Sequence, residues 1–204
     1  AGTQTSGTLQ LLQGSGSYNY EPWAIPNFNM QWQSMWTSAT SEMNTAKTIT
    51  GFHWYKWAYY TNTVNNVVIK MGHTKSGSLT TNFANNYSDT PVTVRTSVTY
   101  TIGNTVSFTW EPAPTFSGTF NYNGSDNVIM EITNTGGTNG WGTTWLYAGL
   151  WQVNPNNSLT RTVYTTPRTN PSSTLTQPYF HDVRFGFLVN GSEARSDFYD
   201  SWDS

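Results

Sequence analysis

Histidines are the first side chains in this sequence that could do nucleophilic or acid–base chemistry. His53, His73 and His181 are far apart in the chain, but a Ser–His–Asp arrangement is built in space, so their spacing does not exclude one. The Gly-x-Ser-x-Gly motif that presents a nucleophilic serine is absent. His53 lies within a predicted strand and His73 ends one. We therefore expect histidines that are hydrogen-bonded in or beside a sheet, and no catalytic residue among them.

Paired carboxylates, which act on glycosidic bonds, are the second candidate. Glu111 and Glu131 both fall on predicted strands. Glu111 precedes Pro112 at a strand end, and the alternation of Glu131 with Met130 and Ile132 predicts that Glu131 lies at an exposed or edge position. The sequence therefore predicts that the protein is not an enzyme.

A polar run between two apolar segments could supply oxygen ligands to calcium. Only one of its members is charged, and asparagine and glycine are also the residues that form tight turns, so we favour a turn. The chain has no cysteine, which excludes disulfides, a cysteine zinc site and a thiol nucleophile. We predict no metal and no cofactor. The candidate ligands in the run are Asn121, Asn123, Ser125, Asp126 and Asn127.

Aromatic side chains form a further candidate site, of the kind that stacks on sugars. Four of them fall within a Gly- and Thr-rich stretch at residues 136–151, and Asn and Thr nearby could meet sugar hydroxyls. The same rings could instead pack on the sandwich or on a neighbouring subunit. The four residues are Trp141, Trp145, Tyr147 and Trp151.

The elements that must position these residues are strands. Period-two alternation recurs along the chain, separated by turns rich in Gly, Asn, Asp and Pro, and no long amphipathic helix intervenes. This pattern predicts an all-β fold, an antiparallel, jelly-roll-like β-sandwich with long aromatic-rich loops. We expect one sandwich domain at 18–190, an N-terminal tail with an exchangeable strand at 1–17, and an acidic-aromatic C-terminal tail at 191–204. The alternating residues are Val67, Ile69 and Met71; Val92 and Val94; Val98 and Tyr100; Val106, Phe108 and Trp110; Val128, Met130 and Ile132; and Val183, Phe185, Phe187 and Val189.

Composition limits the partners. Charged residues make up 10% of the chain, against about 25% in ordinary soluble domains, and Asn, Thr and Ser replace them. The nine Lys and Arg are scattered, which excludes the basic footprint of a nucleic-acid binder. No apolar run has the 18 or so residues of a membrane span. The chain opens on Ala1 without Met, which predicts a processed, secreted or cell-surface protein.

Four segments resemble one family, the jelly-roll-like β-sandwich modules of secreted and surface proteins of Bacteroidetes-type bacteria. They are residues 48–52 (TITGF), 67–74 (VVIKMGHT), 120–132 (FNYNGSDNVIMEI) and 183–187 (VRFGF). The likeness covers about residues 40–135 and 180–190, and the Asn-Gly-Ser-Asp-Asn turn is its most specific part. The chain departs from the family at 136–177. The resemblance implies an extracellular, non-catalytic accessory module.

Four Asn-x-Ser/Thr sequons are present, each a candidate for glycosylation. In a chain with this much Asn and Thr, several are expected by chance. They begin at Asn86, Asn123, Asn156 and Asn190.

Together these observations predict a structural subunit of an extracellular filament or surface layer. Other copies of the chain would be its partners, joined by β-strand addition and aromatic packing. A carbohydrate-binding or adhesive module that uses the 141–151 aromatic residues to bind glycans is the alternative. The expected subunit-interface residues, from the two tails, are Leu9, Leu11, Leu12, Phe198 and Trp202.

Overall fold

The computed structural model describes residues 4–11, 17–19, 23, 29–38, 43–56, 62–102, 109–138, 148–152, 160, 162–165, 175–177, 179–181 and 183–190. Regular structure there is almost entirely strand, and a short 3-10 helix, Phe83–Asn86, follows the fifth strand. In chain order the strands are β1 (Gln4–Leu11), β2 (Ser17–Asn19), β3 (Met30–Trp36), β4 (Lys47–Lys56), β5 (Asn62–Thr74), β6 (Val92–Ile102), β7 (Thr109–Pro112), β8 (Phe120–Tyr122), β9 (Asn127–Asn134), β10 (Gly137–Thr138), β11 (Ala148–Gln152), β12 (Thr162–Thr165), β13 (Leu175–Gln177), β14 (Tyr179–His181) and β15 (Val183–Asn190).

The strands form two antiparallel sheets. Sheet A has the order β1-β15-β4-β11-β14, with β2 on β11 and with β7 and β8 on β4. Sheet B has the order β10-β5-β9-β3-β12-β13, with β6 on β5. The predicted all-β, antiparallel sandwich is confirmed. Within the described residues, no helix has the length and apolar character needed to span a membrane.

The main core lies between the two sheets. On β15 the residues Val183, Phe185 and Phe187 are buried, and the residues between them are partly exposed, as the period-two pattern predicts. The ring of Phe185 from sheet A meets that of Trp36 from sheet B edge-on, with ring centroids 5.4 Å apart. Strand alternation therefore brings the apolar faces of both sheets together.

Sheet B is also buried on its other face. Residues 75–91, which join β5 to β6 and which we call the covering segment, lie over the outward side of β9 and β3. A second apolar cluster forms there from Met35, Leu79, Ile129 and Val163, with Phe83 and Tyr87 packed against it. As a result, β9 is buried continuously from Val128 to Ile132. The prediction that Glu131 is exposed is therefore wrong: 5% of it is accessible, because the covering segment lies above it.

The Asn-Gly-Ser-Asp turn between β8 and β9 has the predicted conformation. The Oδ1 atom of Asn123 accepts hydrogen bonds from the backbone N–H groups of Ser125 and Asp126, at 3.0 Å each. Gly124 has φ +77°, and a Cβ there would lie 2.3 Å from the backbone nitrogen of Ala46. Only glycine fits this position, because the backbone is left-handed and another chain segment touches it.

The two predicted tails have different outcomes. Within the segment at 1–17, β1 pairs with β15 of the same chain over eight residue pairs, from Gln4 opposite Asn190 to Leu11 opposite Val183. Residues 191–204 lie outside the described part.

Candidate functional site

His73 is held on both ring nitrogens. Its Nδ1 lies 2.6 Å from Oδ2 of Asp89, and its Nε2 accepts the backbone N–H of Asn123 at 3.1 Å. Because Nε2 is the acceptor, Nδ1 carries the proton and donates it to Asp89. The ring stacks on Tyr122, with centroids 5.8 Å apart, and contacts Phe120.

This geometry resembles the His–Asp half of a catalytic triad but does not leave His73 a free base. In a triad the second ring nitrogen takes a proton from a nucleophile. Here that nitrogen is occupied by the backbone of the β8–β9 turn, and the His73 residue is 8% exposed. The His73–Asp89 pair therefore acts as a connector between β5, the covering segment and the turn.

Glu131 is the centre of a second polar network beneath the covering segment. Its Oε2 accepts hydrogen bonds from Nε2 of Gln33 at 2.7 Å and from the hydroxyl of Tyr87 at 3.2 Å. Gln33 also donates to the backbone carbonyl of Phe83 and accepts from the side-chain amide of Asn86. Burial and the nearby Glu131 carboxylate raise the pKa of Tyr87. The network joins the strands of sheet B to the segment that covers them.

A groove of about 610 Å³ opens beside this network. Lys70 reaches its wall, with Nζ 3.8 Å from Oε1 of Glu131. The two carboxylates that line the groove already make hydrogen bonds within the chain, since Asp89 binds His73 and Glu131 binds Gln33 and Tyr87. The groove therefore marks where the covering segment packs on sheet B, and its acidic side chains hold that packing.

Glu111 faces the main core from sheet A, near Lys56, and both residues are buried. Burial lowers the pKa of Lys56, while the charge of Glu111 acts in the opposite direction. The hydroxyl of Tyr100 receives the indole N–H of Trp54 and donates to the carbonyl of Pro112. Glu111 thus points from sheet A into the core between the sheets, whereas Glu131 lies on the outward side of sheet B. The two carboxylates therefore do not flank a common cleft as a glycosidase pair does.

The open face of sheet A carries a different group of side chains, which we call the outer-face cluster: Tyr55, Trp110, Arg184 and His53. Tyr55 and Trp110 lie directly opposite each other on β4 and β7, and their rings meet edge-on with centroids 5.3 Å apart. Both rings are partly exposed. This aromatic pair is fixed by cross-strand register rather than by sequence proximity.

Arg184 extends the cluster across β4. It lies opposite His53 in the β15–β4 ladder, and its guanidinium carbon is 4.3 Å from the Trp110 ring centroid. This distance is that of a cation–π contact. His53 is exposed, and partial burial together with the positive charge of Arg184 lowers its pKa below the usual 6.5.

Two glycines follow this cluster along the open face. Gly51 and Gly186 lie opposite each other, and a Cβ added at Gly51 would meet no atom within 4 Å. Beyond them the Thr48 hydroxyl donates to the Asn121 side chain at 3.1 Å. The surface is therefore open at Gly51, whereas the Thr50 hydroxyl lies 3.2 Å from the position of a Cβ at Gly186.

The residues predicted for a site are only partly described. Leu9 and Leu11 lie in β1 opposite Phe185 and Val183, and Trp151 lies in β11 opposite Phe180. The remaining predicted interface and platform residues lie outside the described part of the chain: Leu12, Trp141, Trp145, Tyr147, Phe198 and Trp202.

The sequons also differ in their surroundings. Asn86 is 3% exposed, and its amide nitrogen donates to Gln33 and to the carbonyl of Thr80. A glycan on that nitrogen would displace both bonds, so the folded chain is a poor acceptor at Asn86. Asn123 is exposed at the turn, Asn190 ends β15, and Asn156 lies outside the described residues.

Sequence reasoning missed the outer-face cluster because its members are far apart in the chain. The signal it did contain was the alternation that places Trp110 and Arg184 on their strands.

Similarity to known proteins adds nothing further, since no family model matches the chain and no curated protein shows significant similarity to it. The candidate site is therefore defined by geometry alone: the open face of sheet A, together with the β1 edge of the same sheet.

Proposed function

We propose that this protein is a non-catalytic structural subunit of an extracellular assembly, such as a filament or a surface layer. In this assembly β1 of one copy pairs with β15 of the next copy, in the position that the next copy's own β1 would otherwise fill. The observation that carries the proposal is the position of β1. It lies at the edge of sheet A and, within the described residues, pairs with one strand alone.

The β1–β15 ladder suits exchange between copies. Its eight pairs run in continuous register, without the irregularities that interrupt the β5–β6 ladder. The same backbone hydrogen bonds and the same pairs, Leu9 with Phe185 among them, form whether β1 comes from its own chain or from another. Protein concentration and the connection between β1 and β2 determine whether β15 pairs with β1 of its own chain or with β1 of another copy.

The non-catalytic part of the proposal is supported by how the reactive side chains are used. His73, Asp89 and Glu131 all make hydrogen bonds that hold the covering segment and the β8–β9 turn. The low charge of the chain favours close contact between copies, because little charge has to be desolvated.

A cysteine pair tests the exchange. The chain has no cysteine, so Ser6→Cys with Leu188→Cys creates one defined pair across the β1–β15 ladder. Light and heavy isotope-labelled chains are mixed, concentrated until they assemble, and oxidised. We expect disulfide-linked peptides that join a light chain to a heavy chain, and a ladder of covalent oligomers on a non-reducing gel.

The matched control is Gln10→Cys with Leu188→Cys, in which the first cysteine is four positions out of register and should not crosslink. If Ser6→Cys with Leu188→Cys forms disulfides within single chains only, and the unmodified protein stays a monodisperse monomer at high concentration in light scattering, the proposal is wrong.

A further inference from the structure

The turn between β8 and β9 contains a chemically labile pair of residues. Asn123 is followed by Gly124, and glycine has no side chain to hinder the approach of its own backbone nitrogen to the amide carbon of the residue before it. An Asn-Gly pair can therefore react with itself, without an enzyme. Two further pairs of this kind, at Asn139 and Asn190, provide references within the same molecule.

The reaction is an intramolecular ring closure. The Gly124 N–H loses its proton to solvent hydroxide, its nitrogen bonds to Cγ of Asn123, and Nδ2 takes up a proton from water and leaves as ammonia. Water then opens the resulting succinimide at one of its two carbonyls, which gives aspartate or isoaspartate at position 123. No oxidant or reductant takes part. Asn123 is exposed, so water and hydroxide reach it.

The folded turn holds the reacting amide in place. Oδ1 of Asn123 accepts hydrogen bonds from the backbone N–H of Ser125 at 3.0 Å, from the Ser125 hydroxyl at 3.2 Å and from the backbone N–H of Asp126 at 3.0 Å. Its Nδ2 donates to Oδ2 of Asp126 at 2.9 Å. Ring closure needs Cγ to turn into bond-forming reach of the Gly124 nitrogen, and a side chain held in this way cannot turn without breaking these bonds.

The backbone around the reacting bond is held as well. The N–H of Asn123 donates to Nε2 of His73 at 3.1 Å. Gly124 lies against the backbone of Ala46, where a Cβ would come within 2.3 Å of the Ala46 nitrogen. Asn123 is therefore expected to react only when the turn has left this arrangement.

The reaction products do not fit back into the turn. Aspartate at position 123 has no Nδ2 to donate to Asp126, and it places a second carboxylate beside that of Asp126. Isoaspartate lengthens the backbone by a methylene group just before Gly124, which has no room to move towards Ala46. The reaction would thus make a transient opening of the turn permanent.

We propose that Asn123 is a site of spontaneous deamidation that the closed turn protects and the His73 contact controls, and that the reaction releases the β8–β9 turn irreversibly. This modification site involves no residue of β1 or β15, so it is independent of whether copies exchange strands.

Peptide mapping of the full-length protein after ageing in mildly alkaline buffer tests the protection, with aspartate and isoaspartate products counted separately by mass spectrometry. The same protein in concentrated urea gives the rate in the unfolded chain. We expect Asn123 to react about tenfold or more slowly in the folded protein than in urea, because several hydrogen bonds must break first.

Two variants loosen the turn at different points. His73→Phe keeps a ring but loses the acceptor of the Asn123 N–H, and Asp126→Ala loses the acceptor of Nδ2. Each should speed the reaction at Asn123 in the folded protein about threefold or more, because each removes part of the hold on the closed turn. Thermal melting establishes that each variant is folded at the temperature of ageing.

Phe185→Leu is the control for a general loss of stability. It leaves a space in the main core, away from the turn. Asn123 should react in this folded variant at the parent rate. Asn139 and Asn190 should also keep their parent rates in His73→Phe and Asp126→Ala, since the release is local to the β8–β9 turn.

The release itself is tested on the deamidated protein, which ion exchange separates by its added negative charge. We expect NMR to show that the His73 ring has lost its contact with the Asn123 amide in this fraction, and that the unreacted fraction keeps the contact. A deamidated fraction whose His73 signals match those of the parent would show that the turn closes again, and would overturn the irreversible release.

Three further results would overturn the proposal. The first is an Asn123 rate that is equal in the folded protein and in urea, because the turn would then give no protection. The second is the absence of reaction at Asn123 in urea. The third is a rate in His73→Phe and Asp126→Ala that matches the rate in Phe185→Leu, because the reaction would then follow overall stability and not the turn.

Discussion

Sheet A and sheet B share the same strand alternation but differ in what lies outside them. The outward side of sheet B is covered by residues 75–91, and its polar side chains are buried there, with Gln33 fully inaccessible and Glu131 at 5%. The outward side of sheet A at β4 carries His53, Tyr55 and their neighbours in contact with solvent. Similar strands thus have opposite environments: among the residues that the structure describes, a segment packs over the outward side of sheet B, and none packs over β4 of sheet A.

The difference shows where function can reside. On the covered face each fixed polar group already has a partner within the chain, so this face contributes to stability. On the open face the rings and polar groups lie along neighbouring strands and are partly or fully exposed to solvent. Sensitivity to mutation is therefore expected to be greater on the covered face of sheet B than at the solvent-exposed positions of β4.

The largest expected effect comes from Glu131→Leu on the covered face. This change leaves the buried donors of Gln33 and Tyr87 without their acceptor, which should lower the free energy of unfolding by about 3 kcal/mol. Glu131→Gln keeps an oxygen that accepts both bonds and should cost about 1 kcal/mol. Urea unfolding followed by circular dichroism measures both values. Near-equal free energies for the two variants would mean that the network does not hold the covering segment.

Substituting one glycine on each sheet tests the same comparison, with a smaller expected change in the free energy of unfolding. In Gly72→Ala on sheet B, the new Cβ would lie 2.6 Å from Cδ1 of Tyr87, so the ring must move, at a cost of about 2 kcal/mol. In Gly51→Ala on sheet A the Cβ meets nothing within 4 Å, so the free energy of unfolding should change by about 0.5 kcal/mol or less. Thermal and urea unfolding of both variants test this. A Gly51→Ala variant as unstable as Gly72→Ala would show that the open face is covered after all.

The smallest expected effect concerns the titration of His53. Burial and Arg184 lower its pKa below 6.5, so the folded state takes up this proton less readily than the unfolded state. The contribution of His53 to stability is therefore complete above the unfolded pKa and declines as the pH falls through 6.5 towards the folded pKa. Arg184→Gln removes the charge that faces His53 from β15, whereas the facing residue on β7, Pro112, is uncharged.

An NMR titration of the His53 ring should therefore give a higher pKa in Arg184→Gln than in the parent, while remaining below the usual value because burial persists. A pKa that does not change between the two proteins would show that the guanidinium does not act on His53.

Much of the fold follows from the sequence, because strand alternation is a local property. The buried residues repeat every second position from Val67 to Met71 in β5 and from Val183 to Phe187 in β15. The turn at Asn123 and Gly124 has its own side-chain signature. The environment of Glu131 could not be predicted in this way. Its cover comes from a Ser-, Thr- and Asn-rich segment more than forty residues earlier, and nothing local indicates that such a segment packs.

The candidate site was missed for a related reason. Tyr55 and Trp110 are brought together by the β4–β7 register, which depends on how distant strands pair. The sequence predicts an aromatic platform at 141–151 because these aromatic residues are close together along the chain, and most of them lie outside the described residues. Clustering along the chain and clustering in space are different properties in a sandwich built from non-local ladders.

The clamp around His73 has a consequence for how the molecule opens. Its ring is tied to Asp89 of the covering segment and to the Asn123 turn, and it stacks on Tyr122, whose hydroxyl bonds to the carbonyl of Met43. The covering segment therefore cannot lift away as an independent flap without breaking contacts that also hold the β8–β9 turn. Cover, turn and the end of β5 form one cooperative opening unit, so their buried amides should exchange with solvent together, with a protection set by one shared opening free energy.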